Sequence, residues 1–167
     1  MRTAICPGSF DPITLGHLDI IKRSAGIFDR VVVLVIANPQ KKAMFSLDER
    51  VELISRVIAP LQNVSVQSSA ELLSRFAEKM GECVVVKGLR AISDFESEFQ
   101  MALINRNLNK ELETVFLPTS EAYLYLSSSI VKEVGGLNGD ISAFVPSEIL
   151  QDVYNKLNRG QSDGQRN

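Results

Sequence analysis

Residues 3–17 read Thr3-Ala4-Ile5-Cys6-Pro7-Gly8-Ser9-Phe10-Asp11-Pro12-Ile13-Thr14-Leu15-Gly16-His17. The first four form a short apolar run, which reads as a strand. A helical pattern follows over residues 16–28, with apolar side chains at 18, 20, 21, 25, 27 and 28 mostly on one face. The loop between them carries two prolines and Gly8, and Gly16 opens the helix. Glycines at such a junction let a ligand approach the backbone closely. The helix start offers unpaired N–H groups and a positive dipole end, both suited to an anion. Thr14 adds a hydroxyl. His17 is the only histidine in the chain, and its ring can donate to a phosphate oxygen as charge builds there. A lone histidine is more often structural, but this placement favours chemistry.

The same alternation continues outward. Further strands are predicted over residues 31–37, 64–67, 83–87 and 114–117. The runs at 31–37 and 83–87 are almost unbroken Val, Ile and Leu, as a strand covered on both faces requires. Three helices are predicted to start at capping boxes, Ser46 with Glu49, Ser68 with Glu71 and Ser93 with Glu96. Another begins near Ser128 and stops at Gly135-Gly136, and the last follows Pro146-Ser147 to about residue 158. Strand–helix alternation of this kind predicts right-handed crossovers and a parallel sheet. One domain over residues 1–158 is expected, with a disordered polar tail at 159–167.

Composition narrows the classes. A chain of 167 residues that is 45% hydrophobic and 23% charged is an ordinary globular protein. Its formal net charge of −2 provides no global field for nucleic acid. No segment approaches the ~18 consecutive apolar residues of a membrane span. The start lacks a signal-peptide layout, so a cytoplasmic location is expected. Cys6 and Cys83 lie in apolar runs without metal-type spacing and read as reduced thiols. No G-x-G-x-x-G follows the first strand and no Walker A motif occurs.

In an open parallel sheet, ligands bind past the carboxyl ends of the strands. Polar residues collect at those ends: Ser9, then Lys41 and Lys42, then Lys87 and Arg90, then Ser127-Ser128-Ser129 at a helix start. Lys87 closes an apolar run, a costly place for an idle charge. Glu71-Leu72-Leu73 opens the third crossover helix. Asp94, Glu96 and Glu98 suggest a metal site, but their helical spacing does not bring all three to one face.

Thr14-Leu15-Gly16-His17 resembles the T/H-x-G-H signature of the nucleotidyltransferase superfamily, which includes class I aminoacyl-tRNA synthetases. Residues 7–12, Lys87-Gly88-Leu89-Arg90, residues 94–98 and residues 127–132, in this order, resemble the phosphopantetheine adenylyltransferase family over about residues 2–158. The resemblance implies a three-layer, Rossmann-like α/β fold with five parallel strands in the order 3-2-1-4-5. The implied reaction moves the adenylyl group of ATP to 4′-phosphopantetheine, giving dephospho-coenzyme A and pyrophosphate in coenzyme A synthesis. It also implies Mg²⁺ entering with ATP, with no metal site made of protein groups.

The same resemblance puts His17, Lys41, Arg90 and Ser128 around the reacting phosphorus, and Ser9, Lys41, Leu73 and Lys87 on the acceptor. ATP would meet Ser9, Phe10, Gly16, His17, Gly88, Leu89, Arg90 and Glu98. It would also meet the run Tyr123, Leu124, Tyr125, Leu126, Ser127, Ser128 and Ser129. Three positions depart from the common pattern: Lys87 stands for a frequent arginine, Glu71 for an aspartate and Tyr123 for a tryptophan or arginine. The family forms hexamers and binds coenzyme A as a feedback ligand. Met101, Ala102, Ile104 and Leu108 fit either a subunit contact or the core.

Overall fold

The computed structural model describes residues 2–37, 43–90 and 92–164. Five strands, β1 (Thr3–Gly8), β2 (Arg30–Ile36), β3 (Val64–Ser69), β4 (Cys83–Leu89) and β5 (Glu113–Pro118), alternate with helices. The helices are α1 (Leu15–Ile27), α2 (Leu47–Ile58), α3 (Leu73–Met80), α4 (Ile92–Leu108), α5 (Ser128–Gly136) and α6 (Leu150–Gly164). The strands form one parallel sheet in the order β3-β2-β1-β4-β5. This is the arrangement the resemblance implied.

Side-chain alternation explains the layers. Ala4, Cys6, Val31, Val33, Val35 and Val86 bury one face of the sheet against α1, α2, α5 and α6. Ile5, Leu34 and Val85 point the other way, into a smaller cluster with Ala77 and Leu112 that α3 covers through Leu73 and Phe76. The central strands are apolar on both faces because both faces are covered.

Of the three expected capping boxes, only Ser46–Glu49 forms, with Glu49 N–H donating to Ser46 Oγ at 3.2 Å and Ser46 N–H to Glu49 Oε2 at 2.6 Å. Ser68 instead belongs to β3, and α3 starts at Leu73 without a side-chain cap. Glu71 therefore precedes that helix and pairs with Lys79 Nζ at 2.6 Å. Ser93 lies inside α4, which starts one residue earlier. The pattern Ser-x-x-Glu is short, and strand pairing or an earlier helix start overrides it. α6 runs to Gly164, beyond the residue 158 expected.

The outer face of α4 also departs from the core reading of its apolar residues. Met101, Ile104 and Leu108 are 50%, 43% and 57% exposed. The inner side of that helix buries Asn105 instead. Phe95 stacks on Phe99 with centroids 5.5 Å apart and meets Phe116 of β5 edge-on at 6.0 Å.

Candidate active site

A cavity of about 740 Å³ opens past the carboxyl ends of β1 and β4. Its walls are the β1–α1 loop, the end of β4, the first turns of α4 and the start of α5. Ser9, Phe10, Gly16, His17, Lys87, Gly88, Arg90, Glu98, Leu126, Ser127, Ser128 and Ser129 all line it. Leu73, Leu89, Tyr123, Leu124 and Tyr125 stand outside that lining. Lys41 and Lys42 lie outside the described residues.

His17 is held by its own helix start. Thr14 caps α1: its Oγ1 accepts the His17 N–H at 3.3 Å, while Thr14 N–H donates to His17 Nδ1 at 3.0 Å. Histidine thus takes the third position of a capping box usually filled by Glu or Gln. Because Nδ1 accepts, the neutral ring carries its proton on Nε2, which has no partner among the described residues. Burial, then the charges of Arg90 and Lys87, lower the His17 pKa from 6.5 to about 4. At neutral pH the ring is an uncharged donor beside two cations.

The loop around it is tightly tied. Phe10 has φ 48°, a left-handed conformation uncommon outside glycine. Its ring meets His17 edge-on at 5.1 Å. A Cβ on Gly8 would lie 3.0 Å from that ring, and one on Gly16 would lie 3.4 Å from Tyr123 Cβ. Both glycines therefore make room for neighbouring protein groups as well as bordering the cleft.

Asp11, 5% exposed, is the hub of the loop. Its carboxylate accepts the N–H groups of Met44 (2.9 Å) and Phe45 (2.8 Å), and Lys132 Nζ lies 3.1 Å away. Beside it, Ser128 Oγ donates to Pro12 O at 2.8 Å. The buried Arg50 donates to Ser9 O at 2.9 Å. Asp11 and Lys132 fall within quoted motifs, yet their roles were not foreseen and neither was that of Arg50. An acid between apolar residues in a ligand loop was the available signal for Asp11. For Lys132 it was the i+4 spacing from Ser128 on one helix face.

The second wall is built from ion pairs. Arg90 Nε and Nη2 lie 2.9 and 3.3 Å from the Asp94 carboxylate, and Nη1 donates to Leu126 O at 2.9 Å. Lys87 Nζ lies 3.1 Å from Glu98. Asp94 and Glu98 are one helical turn apart on α4 and share a face, while Glu96 is exposed. The three acids do not converge, as their spacing indicated. Cys6 borders the cleft, but burial pushes its thiol up to about 11 and its Sγ sits 3.7 Å from Ser24 Oγ. At neutral pH the thiol keeps its proton, which makes it a poor nucleophile.

A three-layer α/β domain with an anion-ready cleft at its switch point is the nucleotide-handling class of protein. The cytidylyltransferase-like family matches residues 5–134, and the chain belongs to it. A protein from Vibrio parahaemolyticus assigned as a nicotinate-nucleotide adenylyltransferase superimposes with a TM-score of 0.68 over 91% of this chain and 97% of its own, at 18% identity. That likeness concerns the fold. The chain is 55% identical to the phosphopantetheine adenylyltransferase of Alkaliphilus metalliredigens, over 93% of this chain and 99% of the relative. It is 51% identical to that of Clostridium perfringens (98% and 100%) and 52% to that of Clostridium tetani (95% and 99%). The chain belongs to the phosphopantetheine adenylyltransferase family.

Proposed function

We propose that this protein transfers the adenylyl group of ATP to 4′-phosphopantetheine, reversibly, giving dephospho-coenzyme A and pyrophosphate in coenzyme A synthesis. An oxygen of the acceptor's phosphate attacks the α-phosphorus in line, and the bond to the bridging oxygen of pyrophosphate breaks. The attacking oxygen is already a competent nucleophile, so positioning and charge stabilisation carry the catalysis. The observation that carries this reading is His17. It is neutral, fixed at Nδ1 by Thr14, and lines the cleft with Nε2–H unpaired among the described residues.

In this reading His17 donates to the α-phosphate as charge builds, with Arg90, Ser128 and Lys41 around it. Ser9, Leu73 and Lys87 place the acceptor, again with Lys41. ATP meets Phe10, Gly16, Gly88, Leu89, Glu98 and the 123–129 segment.

The cleft acids Asp11, Asp94 and Glu98 each already face a cation. That fits Mg²⁺ carried in by the phosphates of ATP better than Mg²⁺ held in a cage of protein carboxylates. Bound there, the ion would neutralise phosphate charge. His17, Arg90 and Ser128 would orient the nucleotide.

No helix among the described residues is long and apolar enough to cross a membrane, and Cys6 and Cys83 are unpaired. Both fit a cytoplasmic enzyme. Homo-oligomerisation, as a hexamer by family resemblance, is supported by the exposed apolar residues of α4, Phe95, Phe99 and Leu103 along one side and Met101, Ile104 and Leu108 along another. Feedback binding of coenzyme A belongs to the same reading.

The test is pyrophosphate release with ATP and 4′-phosphopantetheine, against nicotinate mononucleotide and glycerol phosphate as rival acceptors. Release with only the phosphopantetheine acceptor is expected. Release with another acceptor alone, or ATP binding without release, would reject the assignment.

A further inference from the structure

Three cations of the cleft face a carboxylate: Arg90 with Asp94, Lys87 with Glu98, and Lys132 with Asp11. The pairs differ in what else the acid does. Asp11 also accepts two backbone N–H groups, so its place is set whether or not Lys132 stays. Among the described residues, Asp94 and Glu98 show no such second task; each side chain is 29% exposed and faces its cation.

The two acids sit on one face of α4, one turn apart, opposite two cations three residues apart at the end of β4. Asp94 is also in the first helical turn, where the dipole favours a carboxylate. Each nitrogen of the Arg90 guanidinium fork has a partner, Nε and Nη2 on Asp94 and Nη1 on the Leu126 carbonyl, so three of its five N–H groups are taken. A phosphate can reach the Asp94 side of that fork only by replacing the carboxylate. Carboxylate and phosphate oxygens compete for the same planar donor geometry.

We propose that Asp94 and Glu98 are internal counter-ions. They are positioning residues that hold Arg90 and Lys87 aimed into the cleft while it is empty and yield them to the phosphates of the ligands. This rests on the reading of the cleft as a phosphate site. The acids pre-orient the cations at a cost in anion affinity, because a phosphate that meets Arg90 or Lys87 competes with a carboxylate already held there. A phosphate anion such as pyrophosphate is therefore held less tightly than Arg90 and Lys87 would hold it without their acids.

The test is the affinity of Asp94→Asn and Glu98→Gln for inorganic pyrophosphate, by titration calorimetry at fixed ionic strength. Removing the competing charge is expected to lower Kd by about 3- to 10-fold in each variant. In Asp94→Asn, KM for ATP is expected to fall together with kcat. Loss of a merely structural contact would leave or weaken affinity, and unchanged or weaker binding in both variants overturns the proposal.

A measurement on the unsubstituted protein guards against misfolded variants. Titration with pyrophosphate is expected to shift the side-chain carboxyl ¹³C resonance of Asp94 as Arg90 leaves it. A resonance that stays in place at saturation also overturns the proposal. The calorimetric and resonance readouts use pyrophosphate alone, so they stand apart from the identity of the acceptor.

Discussion

The two walls of the cleft are organised by different means. The β1–α1 wall is fixed by backbone bonds: Thr14 N–H on His17, Asp11 on the Met44 and Phe45 N–H groups, Arg50 on the Ser9 carbonyl. The β4–α4 wall is fixed mostly by side-chain ion pairs, Arg90–Asp94 and Lys87–Glu98. Backbone bonds leave no alternative partner, so the first wall keeps its shape when charge arrives. Ion pairs between partly exposed side chains are individually weak and can be traded for phosphate. The cleft thus combines one wall set by backbone bonds with one set by ion pairs that a phosphate could replace.

Three substitutions or titrations can break this contrast. The largest effect is expected for His17→Ala, with kcat lowered by about 10²–10⁴ and ATP affinity little changed, since the ring acts where charge develops. Steady-state kinetics beside a binding assay checks this, and a near-normal kcat would remove His17 from the fixed wall's chemistry. Asp11→Ala should cost about 2–4 kcal/mol of stability, because it strands two N–H groups and the Lys132 ammonium. Denaturant unfolding measures it, and a loss under about 1 kcal/mol would show that Asp11 does not hold the wall.

The smallest effect concerns pH. His17 titrates at about 4 in the folded chain against 6.5 unfolded. Between those values the unfolded chain binds the extra proton, so stability declines as pH falls from 6.5 toward 4. The acid limb of kcat/KM due to His17 should lie near pH 4. A limb near 6.5 that vanishes in His17→Gln would mean that the ring is not desolvated.

Strand positions and the cleft's location were legible because the runs at 31–37 and 83–87 are apolar on both faces and the motifs fall at strand ends, whereas the sheet order followed from the family resemblance alone. His17 was legible as a residue of the cleft but not as a cap, since capping boxes are sought as Ser/Thr with Glu/Gln. Asp11 was hidden because its partners are backbone N–H groups 33 and 34 residues away, which carry no sequence signature. The serine–glutamate pairs at 68–71 and 93–96 misled for the converse reason. A local pattern was present, and strand pairing and an earlier helix start took its residues. Met101, Ile104 and Leu108 could not be assigned from pattern, because apolar residues facing a partner and facing a core look alike in one chain.

The bond from Ser128 to the Pro12 carbonyl and the pair from Lys132 to Asp11 span 116 and 121 residues. A ribosome making this chain would therefore expose the T-x-G-H loop long before its opposite wall exists. Nucleotide would find no finished cleft on a partial chain, and catalytic competence would arrive late, when α5 docks on the β1–α1 loop.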